Sequence, residues 1–171
     1  MNIYDRLIEL ANQGEMIPDI DMLKTPEQIE RIKKSAALNT AVLDHVAANI
    51  KVGMSTADID KLVYDYTTAH GGIPAPLGYE GFPKSVCTSL NNEVCHGIPD
   101  EDIILEDGDI INVDVSTILD GYYSDASRMF AIGEVSEEAK PLIANMTRSC
   151  RNAGGLRDRT ITRTARTRVI T

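Results

Sequence analysis

Tryptophan is absent from this 171-residue chain, phenylalanine occurs twice, and aromatic residues make up only 5 %. Aliphatic packing must therefore dominate its core. Cysteine is sparse and odd in number, with Cys87, Cys95 and Cys150 alone. That pattern excludes a disulfide framework and fits a reducing cytosol, so a cytoplasmic location is expected. No apolar run approaches the length that crosses a bilayer. The opening stretch MNIYDRLIEL carries Asp5, Arg6 and Glu9 where a secretory signal would need an apolar segment. Positive charge is also in deficit. A net charge of −9 argues against a nucleic-acid surface over most of the molecule. What remains is ordinary globular composition, 43 % hydrophobic and 25 % charged, long enough for one domain with a real core.

The charge is unevenly spread. Residues 1–147 hold 10 Lys and Arg against 25 Asp and Glu, a net of −15. Residues 148–171 hold 7 Arg, no Lys and one acid (Asp158), a net of +6. The composition thus divides the chain into an N-terminal helical arm (1–20), a central domain (21–147) and an Arg/Thr-rich tail (148–171), expected to be disordered.

Local patterns supply the elements. Residues 3–13 place Ile3, Leu7, Leu10 and Ala11 at helical spacing, and Gly14 stops them. In KTPEQIERIKK, Thr25 is an N-cap, Pro26 opens the helix and Gln28 completes a capping box. Ile29, Ile32, Ala36, Val42, Leu43, Val46 and Ile50 then continue a helix of about two dozen residues, which Gly53 ends. In STADIDKLVYDYTTAHGG, Ser55 caps, Asp58 closes the box, and Ile59, Leu62, Val63 and Tyr66 face inward until Gly71-Gly72. Beyond that the period changes to two. KSVCTSL and EVCHGI read as strands joined at Asn91-Asn92, while GDIINVDVSTIL and YYSDASRMFAI read as strands joined by Asp120-Gly121, a strong two-residue hairpin signal. Helices followed by antiparallel strands indicate an α+β fold.

The second hairpin carries the chemistry. A turn at Asp120-Gly121 places Leu119 opposite Tyr122, Ser116 opposite Asp125 and Asp114 opposite Ser127. Asp114 and Asp125 then share one face as diagonal neighbours, with Cβ atoms roughly 7–8 Å apart or somewhat less. Asn112, Ser116 and Ser127 lie on that face, and Val113, Val115, Thr117 and Leu119 on the other. One side reads as core and the other as a polar, acidic site. A solvated outer face is the plain alternative. Against it, the long side chains that solvated strands favour are scarce here, and two like charges so close repel unless a proton or metal intervenes. Paired carboxylates suit divalent ions of the kind two-metal hydrolases use. His96, eighteen residues before Asp114, sits between Cys95 and Gly97 with Pro99 beyond, a rigid turn that would fix its ring. It is either a structural histidine or a donor to a substrate carbonyl or amide.

Together, GYEGFPKSVCTSLNNEVCHGIPD and LEDGDIINVDVSTILDGYYSDASRMF closely resemble the type I methionine aminopeptidases. The resemblance runs from about Lys24 to about Ile143, roughly seven-tenths of the chain. It implies the N-terminal half of a pita-bread fold, with helices packed on a curved antiparallel sheet. It implies removal of the initiator methionine from nascent polypeptides, at the ribosome, by a site holding two divalent metal ions (cobalt, manganese, iron(II) or zinc). By the same resemblance Asp114 and Asp125 are metal ligands, Asp125 bridging, and His96 is the catalytic histidine that contacts substrate. Tyr79, Phe82 and Cys87 match the wall of the methionine pocket, apolar because a thioether must be sheathed. Phe82 stands where many members carry Tyr, and Pro76 where many carry Cys. Neither change should abolish a pocket.

The departure lies downstream. The family's other ligands, one His and two Glu, belong to the second half of its fold. Here the histidines are His45, His70 and His96, and after Asp125 the only glutamates are Glu134, Glu137 and Glu138. The expectation is therefore a truncated chain that binds metal weakly or incompletely and is inactive alone. In place of the second half stands RSCRNAGGLRDRTITRTARTRVIT, without helical or strand periodicity. A non-catalytic module docking on ribosome or RNA through this tail is the rival reading, although no aromatic residue is interleaved for base stacking. A relative of aminopeptidase P or prolidase is a third, against which CHGIPD argues.

Overall fold

Capping decides where the helices begin. The computed structural model describes residues 3–19 and 22–145. Helix α1 (Ile3–Asn12) ends before Gly14, whose φ of +78° is the left-handed turn that glycine adopts without strain. Helix α2 (Pro26–Asn49) opens with the expected box: the Thr25 N–H donates to Gln28 Oε1 at 2.8 Å and the Gln28 N–H to Thr25 Oγ1 at 3.2 Å. Helix α3 (Thr56–Ala69) repeats it, the Ser55 N–H donating to Asp58 Oδ2 and the Asp58 N–H to Ser55 Oγ. By packing, the chain falls into two units, one ending at Arg31 and the other beginning at Ile32. The second unit carries everything that follows.

Its sheet has four strands: β1 (Ile73–Pro74), β2 (Cys87–Leu90), β3 (Ile110–Leu119) and β4 (Tyr122–Ala131). The central strand is β3. It pairs antiparallel with β4 along its whole length on one side, and with β1 and β2 in turn on the other. The hairpin register is the one read from Asp120-Gly121, with Leu119 opposite Tyr122, Ser116 opposite Asp125 and Asp114 opposite Ser127.

One expected hairpin is not there. Residues 93–98 form a loop, and β2 pairs with β3. The reason is the backbone of His96, whose φ of +58° cannot continue a pleated strand. The loop folds back along β2, where the Thr88 N–H donates to the Gly97 carbonyl at 2.8 Å and the Glu93 N–H to the Leu90 carbonyl at 3.0 Å. Asn91 turns instead toward the start of β3, accepting from the Ile110 N–H and donating to Asp109.

The core lies between the helices and one face of the sheet. Val42, Leu43 and Val46 of α2 and Ile59 and Val63 of α3 cluster with Ile111, Val113 and Val115 of β3. Each such side chain, fully buried, contributes roughly 1.5–3 kcal/mol. The α2 stripe differs from its apolar pattern: Ala36 is exposed and Ile29 is 42 % exposed, while Ser35 and Asn39 are buried. Buried polar groups cost stability unless bonded, and these are. Asn39 Nδ2 donates to the Val115 carbonyl at 2.9 Å, Thr117 Oγ1 donates to Asn39 Oδ1 at 2.7 Å, and Ser35 Oγ donates to the Thr117 carbonyl at 3.1 Å. On β4, Arg128 reaches Asp44 of α2 at 2.9 Å, tying that strand to the helix.

Among the described residues no helix is long and apolar enough to cross a membrane. The tail expected at 148–171 lies outside the described residues, as do the readings that depend on it.

Candidate active site

Alternation along β3 produces two faces. Val113, Val115 and Thr117 are buried, while Asn112, Asp114 and Ser116 between them are only half-buried. Asp114 and Asp125 therefore stand on the same, open side as diagonal neighbours, as the register requires. Adjacent β2 extends this face, since Cys87 is paired with Asp114 and Ser89 with Asn112.

The two carboxylates differ in setting. Asp114 is half-buried, and that burial raises its carboxyl above the usual range. The Asp125 charge pushes it the same way and His96 opposes both. Asp125 is exposed and its Oδ1 accepts from Ser116 Oγ at 2.5 Å. The loop that carries His96 runs back along β2, whose Cys87 is paired with Asp114. What brings it there is Gly97. A Cβ at this position would lie 2.0 Å from the Thr88 carbonyl oxygen, so only glycine lets the loop seat against β2. Its N–H donates to Ser89 Oγ at 3.3 Å. The left-handed conformation of His96 is then imposed by its neighbours, as strained residues at functional sites often are.

Cys87 faces the same site. Burial, followed by the charges of Asp114, Cys95 and Asp125, pushes its thiol up to about 11. At neutral pH it is a small apolar wall and not a thiolate. Phe82 is half-buried and follows a short turn at Tyr79–Gly81, whereas Tyr79 is 68 % exposed and not enclosed. An open hollow of about 390 Å³ lies nearby, lined by Lys84, Ile98, Pro99, Asp100, Glu101 and Asp102, and it contains none of the expected site residues.

The donor chemistry suits a hard divalent cation: two carboxylates, with Asn112 on the same face carrying a buried Oδ1 that has no hydrogen-bond partner. The number of donors does not suffice. Among the described residues no group of three or more His, Cys, Asp or Glu could hold a metal ion. Asp114 and Asp125 are two carboxylates on one face, and among the described residues no third such donor joins them in a group that could hold a metal ion.

The fold and this face define a class, and the comparisons with known proteins agree with it. The model of metallopeptidase family M24 matches residues 30–155, and the chain belongs to that family. Within it, the chain is similar to methionine aminopeptidase A of Synechocystis, 44 % identical over 136 residues that cover 80 % of this chain and 53 % of the relative. It is 51 % identical over 118 residues to a methionine aminopeptidase of Chlamydia trachomatis, covering 68 % of this chain and 40 % of that one. The crystal structure of methionine aminopeptidase from Rickettsia prowazekii superposes with a TM-score of 0.74 at 38 % identity, over 81 % of this chain and 54 % of its own. The chain spans about half the length of the relatives it matches. An X-Pro aminopeptidase of Thermotoga maritima, 22 % identical with a TM-score of 0.62, shares the fold. The α+β, pita-bread class expected from the sequence is the one these neighbours have.

Two features of the site escaped sequence reasoning. The seating of β2 beside β3, which sets Cys87 against Asp114, is a long-range pairing with no local signal. The Ser116–Asp125 hydrogen bond did have one, because the hairpin register already set those residues opposite each other.

Proposed function

We propose that the Asp114–Asp125 face, with His96 beside it, serves a metal-dependent aminopeptidase that removes the N-terminal methionine of newly made proteins. The observation that carries this reading is the diagonal carboxylate pair on the open side of the β3–β4 hairpin. Asp114 and Asp125 would hold part of a pair of divalent ions (cobalt, manganese, iron(II) or zinc), which when bound would polarise the scissile carbonyl and activate water. His96 would donate a hydrogen bond to the scissile amide and so orient it. Cys87, protonated at neutral pH, offers the methionine thioether an uncharged wall, which Phe82 and Tyr79 would extend. Sparse cysteines favour a cytoplasmic setting, where nascent chains leave the ribosome.

The anchoring pair is not a whole site. No histidine follows Asp125, and two carboxylates leave most coordination positions to water, which neither holds an ion against dilution nor fixes the geometry of attack. The purified 171-residue chain should therefore bind divalent metal weakly and release no methionine from a Met-Ala-Ser peptide. A chimaera joining residues 1–145 to the complementary C-terminal part of the Synechocystis relative should release it with added cobalt, manganese or iron(II). Asp114→Ala with Asp125→Ala should abolish that release. A folded chimaera that stays inactive with every metal would overturn the reading, and turnover by the 171 residues alone would overturn the incompleteness argument.

A further inference from the structure

We infer that Ser116 is the positioning residue for Asp125, fixing its carboxylate in one orientation for a shared ligand; the inference deepens the aminopeptidase reading and rests on it. The hairpin register offers a symmetrical arrangement, with a serine directly opposite each aspartate: Ser116 against Asp125 and Ser127 against Asp114. The structure breaks that symmetry. Ser116 Oγ donates to Asp125 Oδ1 at 2.5 Å, whereas among the described residues no hydrogen bond joins Ser127 to Asp114.

Position in the sheet explains the difference. Asp114 stands on the central strand, half-buried, with Cys87 of β2 and Ser127 of β4 as its cross-strand partners. Asp125 is exposed on β4, which among the described residues pairs with β3 alone. An unrestrained carboxylate there would hop among staggered χ1 wells. A hydroxyl directly across the strands is near enough to stop it, because opposed Cβ atoms lie about 4.5–5.5 Å apart. A short bond from O–H to an ionised carboxylate is also among the stronger hydrogen bonds.

The bond leaves the carboxylate usable. A carboxylate has about four acceptor positions, and Ser116 occupies one, so Oδ2 and the rest of Oδ1 remain free. Asp125 would hold a divalent ion through its remaining acceptor positions, and keeping the carboxylate in one orientation beforehand is what an outer hydrogen-bond partner does. Loss of such a partner typically weakens metal affinity about 10–100-fold.

The test compares the full 171-residue chain with its Ser116→Ala, Ser116→Thr and Ser127→Ala variants. Two readouts are taken: Mn(II) affinity from the electron paramagnetic resonance of free Mn(II), and Asp125 χ1 populations from three-bond couplings in metal-free protein. Ser116→Ala should weaken Mn(II) binding about tenfold or more and average the Asp125 rotamers. Ser116→Thr, which keeps the hydroxyl, should retain affinity and rotamer. Ser127→Ala should change neither. Wild-type affinity and rotamers in Ser116→Ala, or equal damage from Ser127→Ala, would overturn the inference, as would a shift in thermal midpoint with both readouts intact. Should no version of the chain, wild type included, bind Mn(II), the χ1 couplings alone decide the role of Ser116, while the aminopeptidase reading stands or falls separately with the chimaera.

Discussion

The two faces of β3 follow opposite rules although they alternate residue by residue along one strand. On the covered face, polar groups are buried and bonded: Asn39 and Ser35 reach the carbonyls of Val115 and Thr117, and Thr117 bonds back to Asn39. On the open face, two like-charged carboxylates stand together with no ion pair to Lys or Arg among the described residues, and Asn112 Oδ1 is left unpaired. Toward the hairpin turn that face carries an apolar row across three strands, Ile73, Ile118 and Tyr123, with Ile73 60 % and Tyr123 66 % exposed. The covered face is finished by its own chain, and its interactions favour folding. The open face leaves polar groups unpaired, and they contribute no such bonds to folding.

That contrast can be broken by substitution. The largest effect is expected where packing is complete. Ile111→Ala removes a fully buried side chain beneath α2 and α3 and should cost about 2–5 kcal/mol in urea unfolding. A loss well under this would mean the helices collapse onto the gap, and that the covered face is less tightly packed than its burial indicates.

Next comes the polar seam of that face. Asn39→Ala leaves the buried Thr117 hydroxyl without its acceptor and the Val115 carbonyl without its side-chain donor, and should cost about 1–3 kcal/mol. An unchanged urea midpoint would show that the seam only tolerates its polar groups.

The smallest effect, and one of opposite sign, belongs to the open face. Burial and Asp125 raise the Asp114 carboxyl above its unfolded value, so the folded state holds that proton more tightly. The associated stability is fully present below the unfolded carboxylate range and is lost as pH rises through the raised folded value. Asp114→Asn removes the titrating group. Relative to this variant, the wild type should lose stability between about pH 4 and neutrality. Urea midpoints measured at both pH values check the sign, and a wild type that gains stability over this interval would show that a cation already neutralises the pair.

Much of this was legible in the sequence because it is local. The capping boxes at Thr25 and Ser55 depend on residues three apart, and the hairpin register depends on Asp120-Gly121 followed by strict alternation. Since side chains alternate along a strand, that register alone places Asp114 and Asp125 together. The failures were equally specific. The strand expected at 93–98 satisfied the period of two, but Gly97 seats against the Thr88 carbonyl and His96 takes a positive φ, so the segment leaves the ladder. Ala36 was expected inside and lies outside, because the α2 stripe turns its polar Ser35 and Asn39 onto β3, where carbonyls can receive them.

By itself, then, the sequence determined the helix starts, the turn and register of β3 and β4, and the sharing of one face by two carboxylates. All of these are set by interactions between residues near in the chain, whose geometry the backbone period dictates. Only the tertiary structure decided that β2 lies against β3, with Cys87 opposite Asp114, that the loop carrying His96 folds back along β2 at Gly97, and that Ser116 bonds its aspartate while Ser127 does not. Those depend on which surfaces meet across long chain separations and on how deeply each side chain is then buried, and no local pattern encodes either.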